Sequence, residues 1–74
     1  MSQYEYYIFL NSGMLYKVEP LKETWEVIAS VKKKSFPRYR GKAQHQYWTE
    51  RAEQGRCVHL TEEELVNEYF EHLL

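Results

Sequence analysis

The sequence predicts a single small α+β domain, in which an N-terminal three-stranded antiparallel meander packs with one or two C-terminal helices. The chain has 74 residues, which is too few for a second hydrophobic core, so residues 1–74 should form one domain. Apolar residues alternate along the first thirty positions with the period of β-strands. Near the C-terminus, a helix-capping motif precedes apolar residues at helical spacing.

The first two predicted strands span residues 4–10 and 14–19, and a loop of three residues ending in Gly13 joins them. We predict that Gly13 takes the left-handed conformation that closes such a hairpin. This loop would place Ile8 opposite Tyr16, so that apolar partners share one face of the sheet. The other predicted pairs are Leu10 with Met14 and Tyr6 with Val18.

The third predicted strand spans residues 24–31, after Pro20 ends the second strand because proline cannot donate a ladder hydrogen bond. One face of the third strand would carry Trp25, Val27, Ala29 and Val31. The second face of the meander would carry Tyr7, Phe9, Leu15 and Ile28 among charged residues. We expect a C-terminal segment to cover part of this second face, and a surface for a partner or a second copy is the alternative.

The C-terminal half begins with residues 32–42, which we predict to be a loop because a proline and a glycine interrupt them. Residues 43–54 are predicted to form a helix that Gly55 terminates, and a strand over residues 45–49 is the competing interpretation. One stripe of this helix would carry Tyr47, Trp48, Arg51 and Ala52.

The last predicted helix opens with a capping box, in which Thr61 and Glu64 each accept a hydrogen bond from the other's amide. Leu60 and Leu65 occupy the positions of a hydrophobic staple, and residues 56–60 are predicted to form a short strand before the helix. Its apolar stripe would comprise Leu65, Val66, Tyr69, Phe70 and Leu73.

Charge is distributed unevenly along a chain whose net charge is only −1. Residues 32–42, here named the basic segment, hold six cations and no acid, together with Phe36 and Tyr39. Cations attract acidic protein surfaces and phosphates, and aromatic rings anchor interfaces or stack on bases. The predicted partner-binding residues are Lys32, Lys33, Lys34, Arg38, Tyr39, Arg40, Lys42 and Trp48.

These features favour a non-enzymatic interaction protein that binds a protein or ribonucleoprotein partner through the basic segment. A protein that binds single-stranded DNA or RNA through the same residues is the alternative, although a net charge of −1 is untypical of nucleic-acid binders. A homodimer is also considered, because so small a domain has a limited core. The simplest alternative is a solvated loop whose charge the acidic C-terminal helix balances. A second alternative is that Phe36, Tyr39 and Trp48 are core residues.

No catalytic residue, cofactor or metal site is predicted. The chain has no Asp, its three glycines stand apart, and no nucleophile motif flanks Cys57. A metal site would need Cys57 and His59 with either His45 or His72, and their spacing matches no zinc pattern. A single cysteine and the lack of a long apolar run predict a cytoplasmic protein without membrane contact.

In its length and in its charged composition with seven tyrosines, the chain resembles small stand-alone accessory proteins of bacteria and their phages. Some proteins of that class inhibit host defence complexes by covering their surfaces. The resemblance therefore implies a binding role, and it identifies no individual residue.

Overall fold

The structure is a computed structural model that describes residues 3–73, with side chains described for residues 3–68. Five strands and two helices follow one another along this part of the chain. The strands are β1 (Glu5–Phe9), β2 (Met14–Glu19), β3 (Thr24–Ser30), β4 (Arg40–Lys42) and β5 (Cys57–Leu60). The helices are α1 (His45–Glu53), between β4 and β5, and α2 (Glu62–Leu73), after β5.

The described strands form one antiparallel sheet in the order β4-β3-β2-β1-β5. The α+β class is confirmed, and the predicted meander occurs as β1-β2-β3 within a sheet of five strands rather than three. β5 is the predicted short strand before the last helix. β4 lies in the segment predicted to be a loop, because its three residues become a strand only by pairing with β3.

The β1-β2 hairpin differs from its predicted register by one residue. Ile8 lies opposite Leu15 instead of Tyr16, because the loop has four residues and Gly13 is its last. Gly13 has the predicted left-handed conformation, with a φ of 70°, and its amide donates to the Phe9 carbonyl at 2.8 Å. The predicted pairs Leu10–Met14 and Tyr6–Val18 are wrong for the same reason. Both faces of the sheet are covered, so apolar pairing on one face alone could not identify the register.

A β-bulge in β3 divides the apolar face that was predicted for this strand. Between Leu15 and Tyr16 of β2, the ladder skips Ile28 of β3. Because side chains alternate along a strand, one unpaired residue reverses which side of the sheet each later side chain of β3 faces. Trp25 consequently packs on one side of the sheet and Ala29 on the other, so the prediction of a single shared face is wrong.

One helix covers each face of the sheet, and each face carries its own apolar cluster. The α2-side cluster comprises Tyr6, Ile8, Leu15, Ala29, Leu60 and Leu65. The α1-side cluster comprises Tyr7, Val18, Trp48 and Cys57. The helix α1 packs through Trp48 on the side of the sheet that carries Tyr7 and Phe9. Leu15 and Ile28 were predicted to share that side but lie in or against the α2-side cluster, so the predicted second face is wrong in its composition.

Both helices have the predicted boundaries and caps to within a few residues. α1 is a helix where a strand was the alternative, and Gly55 follows it with a left-handed φ of 74°. At the start of α2, the Thr61 amide donates to Glu64 Oε1 and the Glu64 amide donates to Thr61 Oγ1, each at 3.1 Å. Leu60 and Leu65 are both buried in the α2-side cluster, as the hydrophobic staple predicts.

The apolar stripe of α2 agrees with its prediction only in part. Leu65 is buried, whereas Val66 is 48% exposed because it lies on the side of the helix away from the sheet. The side chains of Tyr69, Phe70 and Leu73 lie outside those that the structure describes. Within residues 3–73, neither helix has the length and apolarity needed to cross a membrane.

Candidate functional site

The predicted site residues separate into two groups along β3. Residues 32–34 follow the end of β3 that adjoins the β1-β2 hairpin, and the Lys32 ammonium donates to the Asn11 carbonyl of that hairpin at 2.9 Å. Residues 38–42 run back along the opposite half of β3, where Arg40 pairs with Glu26. The structure therefore brings Arg38, Tyr39, Arg40 and Lys42 together and places Lys32, Lys33 and Lys34 apart from them.

Trp48 does not belong to this surface, so its predicted role as a partner contact is wrong. Its side chain is 1% exposed and lies in the α1-side cluster. Five aromatic rings surround it, with ring centroids 4.9 to 6.3 Å away: Tyr7, Phe9, Tyr16, Trp25 and Tyr47. Trp48 thus stabilises the packing of α1 on the sheet and cannot reach a partner in this structure.

The remaining residues form the outer edge of the sheet, here named the basic edge: Arg38, Tyr39, Arg40, Gly41 and Lys42. β4 pairs with β3 on one side only, so the other side of its backbone faces solvent. The side chains of Arg38, Arg40 and Lys42 are exposed, and Tyr39 is 61% exposed. The basic edge therefore presents three cations and one ring to solvent within five residues.

Two grooves flank the basic edge, one on each side of the sheet. A groove of about 440 Å³ is lined by Lys17, Glu19, Glu26, Arg40 and Lys42, among others. A groove of about 710 Å³ on the α1 side is lined by Trp25, Lys42, Tyr47 and Arg51, among others. Charged residues of both signs line the first groove together with Tyr4 and Trp25, and aromatic rings also contribute to the wall of the second.

Trp25 and Gly41 form the floor of the basic edge on the α1 side. They are opposite each other in the β3-β4 ladder. A Cβ added to Gly41 would lie 2.9 Å from Trp25 Cζ2, so the indole lies directly across the glycine. Gly41 therefore lets the ring of Trp25 extend to the outer edge of the sheet.

A second charged cluster, which sequence reasoning missed, is centred on Glu5 at the start of β1. Glu5 Oε1 accepts a hydrogen bond from Tyr7 at 2.7 Å, and His45 Nε2 lies 2.8 Å from the same oxygen. His59 Nε2 lies 4.0 Å away, and its ring stacks on Tyr7 with centroids 4.9 Å apart. These contacts join the first residue of α1 to the sheet.

The protonation of this cluster is set by competing effects. Burial raises the pKa of the Glu5 carboxyl, but hydrogen bonds from Tyr7 and His45 and the nearby imidazoles outweigh burial, so its pKa lies below the usual value. Burial raises the pKa of the Tyr7 hydroxyl, and its hydrogen bond to Glu5 raises it further. No signal in the sequence links Glu5 to His45, because they are 40 positions apart.

Cys57 is a buried residue of the α1-side cluster, and burial raises the pKa of its thiol although Arg51 and Arg56 act in the opposite sense. Among the residues whose side chains are described, no group of three or more His, Cys or Glu is arranged to hold a metal ion. No family model, curated protein or solved structure matches the chain.

Proposed function

We propose that this chain is a non-enzymatic interaction protein that binds an acidic surface of a protein, alone or within a ribonucleoprotein, through the basic edge. The observation that supports the proposal is the alignment of Arg38, Arg40 and Lys42 along one exposed sheet edge. Such a row of cations steers an acidic partner toward the edge and sets the orientation in which it docks.

The cations of the basic edge take part in none of the ion pairs that the structure describes. Among residues 3–68, Lys22 forms an ion pair with Glu19, and the imidazoles of His45 and His59 lie within 4.0 Å of Glu5 Oε1. Arg40 lies opposite Glu26 in the ladder without forming an ion pair. This arrangement favours binding over the simpler alternative, a loop whose charge the acidic helix balances.

An acidic protein fits the aromatic residues better than a single-stranded nucleic acid does. Stacking on unpaired bases needs open ring faces. Trp48 is buried, and the Arg51 guanidinium lies 3.5 Å from the centroid of the Tyr47 ring and covers one of its faces. Arg38 lies 5.6 Å from the centroid of the half-buried Phe36 ring. Tyr39 is thus the most open ring of the basic segment, and one ring is a small platform for bases.

The test compares a charge-reversed basic edge with an equally exposed control. The test protein carries Arg38→Glu, Arg40→Glu and Lys42→Glu, and the control carries Lys33→Glu and Lys34→Glu. Partners are captured from the native host and quantified by mass spectrometry, and labelled poly-dT and poly-rU oligonucleotides are titrated at low salt.

We expect a stable protein partner that the control retains and that the charge-reversed basic edge loses. Tyr39→Ala should weaken capture without unfolding the domain, because this side chain is largely exposed. Retention of the same partner by every variant would show that the basic edge is the wrong surface. Oligonucleotide binding that falls steeply with added salt and disappears on charge reversal would replace the proposal with the nucleic-acid alternative.

A further inference from the structure

We propose that β4 binds its partner by strand addition: an extended acidic segment of the partner protein becomes a sixth strand, with acidic residues at alternate positions facing Arg40 and Lys42. The residue between those two acids would lie over Gly41 and contact Trp25. This inference rests on the proposed function and deepens it, because it specifies the chemistry and conformation of the segment that the basic edge binds.

The backbone of β4 has the hydrogen-bonding groups that strand addition requires. The Val27 amide donates to the Tyr39 carbonyl at 2.8 Å, and the Ala43 amide donates to the Glu23 carbonyl at 2.9 Å. Hydrogen-bonded positions alternate along an antiparallel ladder. Residues 39, 41 and 43 therefore direct their backbone groups toward β3, whereas the amides and carbonyls of Arg40 and Lys42 point outward, where an added strand would pair.

The side chains of β4 define what an added strand should carry. Arg38, Arg40 and Lys42 share one side of the strand, because side chains alternate. An added strand directs the residues paired with Arg40 and Lys42 to that same side, where opposite charges stabilise cross-strand pairs. The segment should therefore have the pattern acid, any residue, acid.

The opposite side of β4 favours an apolar or aromatic residue between the two acids. Gly41 has no side chain there, and the half-buried ring of Trp25 lies across it. A residue paired with Gly41 would meet the edge of that ring, in the way that a large cross-strand neighbour covers a glycine in other sheets. Tyr39, on the same side, would flank this contact.

The cations of β4 also argue against a second copy of the chain as the molecule that binds this edge. Pairing β4 with another β4 would place Arg40 and Lys42 opposite cations, which destabilises cross-strand pairs. Lysine and arginine on an edge strand are a common means of preventing such self-pairing. The same cations attract an acidic segment, so the basic edge discriminates between a second copy of the chain and an acidic partner.

The test uses the full chain and two synthetic peptides of about nine residues, within the usual length of a strand. One alternates glutamate with valine around a central phenylalanine. The other has the same composition with its glutamates grouped at one end. Affinity is measured by titration calorimetry, and amide exchange is measured by NMR with and without peptide.

We expect the alternating peptide to bind roughly tenfold more tightly than the grouped one, because only the alternating peptide pairs two acids with Arg40 and Lys42 while placing an apolar residue over Gly41. It should slow exchange of the Arg40 and Lys42 amides, with less change at residues 39 and 41, whose amides already face β3. Arg40→Pro removes an amide that the sheet does not use and should abolish binding. Arg40→Gln keeps that amide and should bind the alternating peptide several-fold more weakly than the unmodified protein.

The outcomes separate this inference from the proposed function. Binding of both peptides with equal affinity, without protection of the two amides, would overturn strand addition and leave charge-driven docking intact. Protein capture through the basic edge with no peptide binding would do the same. If the Arg40→Pro variant does not fold, amide exchange in the unmodified chain still tests strand addition, because it shows whether the peptide protects the Arg40 and Lys42 amides. If the unmodified chain captures no protein partner but binds oligonucleotides in a salt-sensitive way that charge reversal abolishes, the proposed function itself is overturned.

Discussion

The indole of Trp25 lies across the backbone of Gly41, close enough that a Cβ added to the glycine would lie 2.9 Å from Cζ2 of the ring. The contact joins the edge strand β4 to β3 and continues into the α1-side cluster, because Trp25 also packs on Tyr16 with ring centroids 5.3 Å apart. The ring of Trp25 in β3 thus restricts the opposite position in β4 to a residue without a Cβ atom.

Gly41→Ala is expected to destabilise the domain by about 1–3 kcal/mol, the usual effect of overpacking. The rigid ring must move, and its displacement should shift tryptophan emission. Urea denaturation and fluorescence together measure both effects. Gly55→Ala is the matched control, because its Cβ would meet nothing within 4 Å and only its φ of 74° is unfavourable. The control should lose about 1–2 kcal/mol of unfolding free energy without a change in tryptophan emission. Equal emission from both variants would contradict the contact between Trp25 and Gly41.

Trp48→Ala is expected to destabilise the domain by about 3–5 kcal/mol, because it removes the largest fully buried side chain that the structure describes. In so small a domain this loss approaches the whole free energy of unfolding, so circular dichroism should show a protein that is partly or fully unfolded. Tyr39→Ala is the control and should change the free energy of unfolding by less than about 0.5 kcal/mol. A folded, stable Trp48→Ala protein would contradict the core assignment of this residue.

The Glu5 cluster predicts a specific loss of stability in acid. The folded protein holds the pKa of Glu5 below its ordinary value of 4.5, so the unfolded chain binds more protons as the pH falls toward that of the folded carboxyl. The stabilisation by Glu5 is therefore fully present above about pH 4.5 and is lost as the pH falls through the folded pKa. Urea denaturation at several pH values measures this loss.

Glu5→Gln is the control for the acid effect. It removes the titrating carboxyl, so the stability of the variant should fall less steeply below about pH 4.5 than that of the unmodified protein. A backbone hydrogen bond with Thr61 lowers the pKa of Glu64, but this residue titrates in both proteins and cancels in the comparison. Parallel pH profiles for the two proteins would show that the contacts of Glu5 do not stabilise the fold.

The capping box of α2 predicts that Thr61→Ala destabilises the domain by about 1 kcal/mol, because the amide of Glu64 loses its side-chain acceptor. Thr61→Ser retains the hydroxyl and should remain within a few tenths of a kcal/mol of the unmodified protein. Urea denaturation compares the two variants. Equal destabilisation by alanine and serine would mean that the lost methyl group, and not the hydrogen bond, is responsible.

The basic edge was only partly predictable. The cations and Tyr39 were identified from composition, since a run of like charge is visible without any fold. Their separation from Lys32 was not, because it depends on Lys32 reaching the Asn11 carbonyl across the hairpin. Trp48 was assigned to the same surface by its proximity in sequence, whereas the helix that carries it directs its side chain into the sheet.

The sequence by itself determined the features that depend only on residues close together along the chain. Gly13 and Gly55 take the left-handed conformation that few other residues adopt, and Thr61 and Glu64 cap α2 within a single turn. Such features need only local backbone geometry, so patterns of a few residues predict them.

Only the tertiary structure decided the register of the hairpin, the bulge at Ile28, the pairing of β4 and the contact of Glu5 with His45. Each of these joins residues on different elements, and each is selected by packing on both faces of the sheet at once. Alternation along one strand describes a single face, so it could not show that Leu15 and Tyr16 pack against different clusters on opposite sides of the sheet.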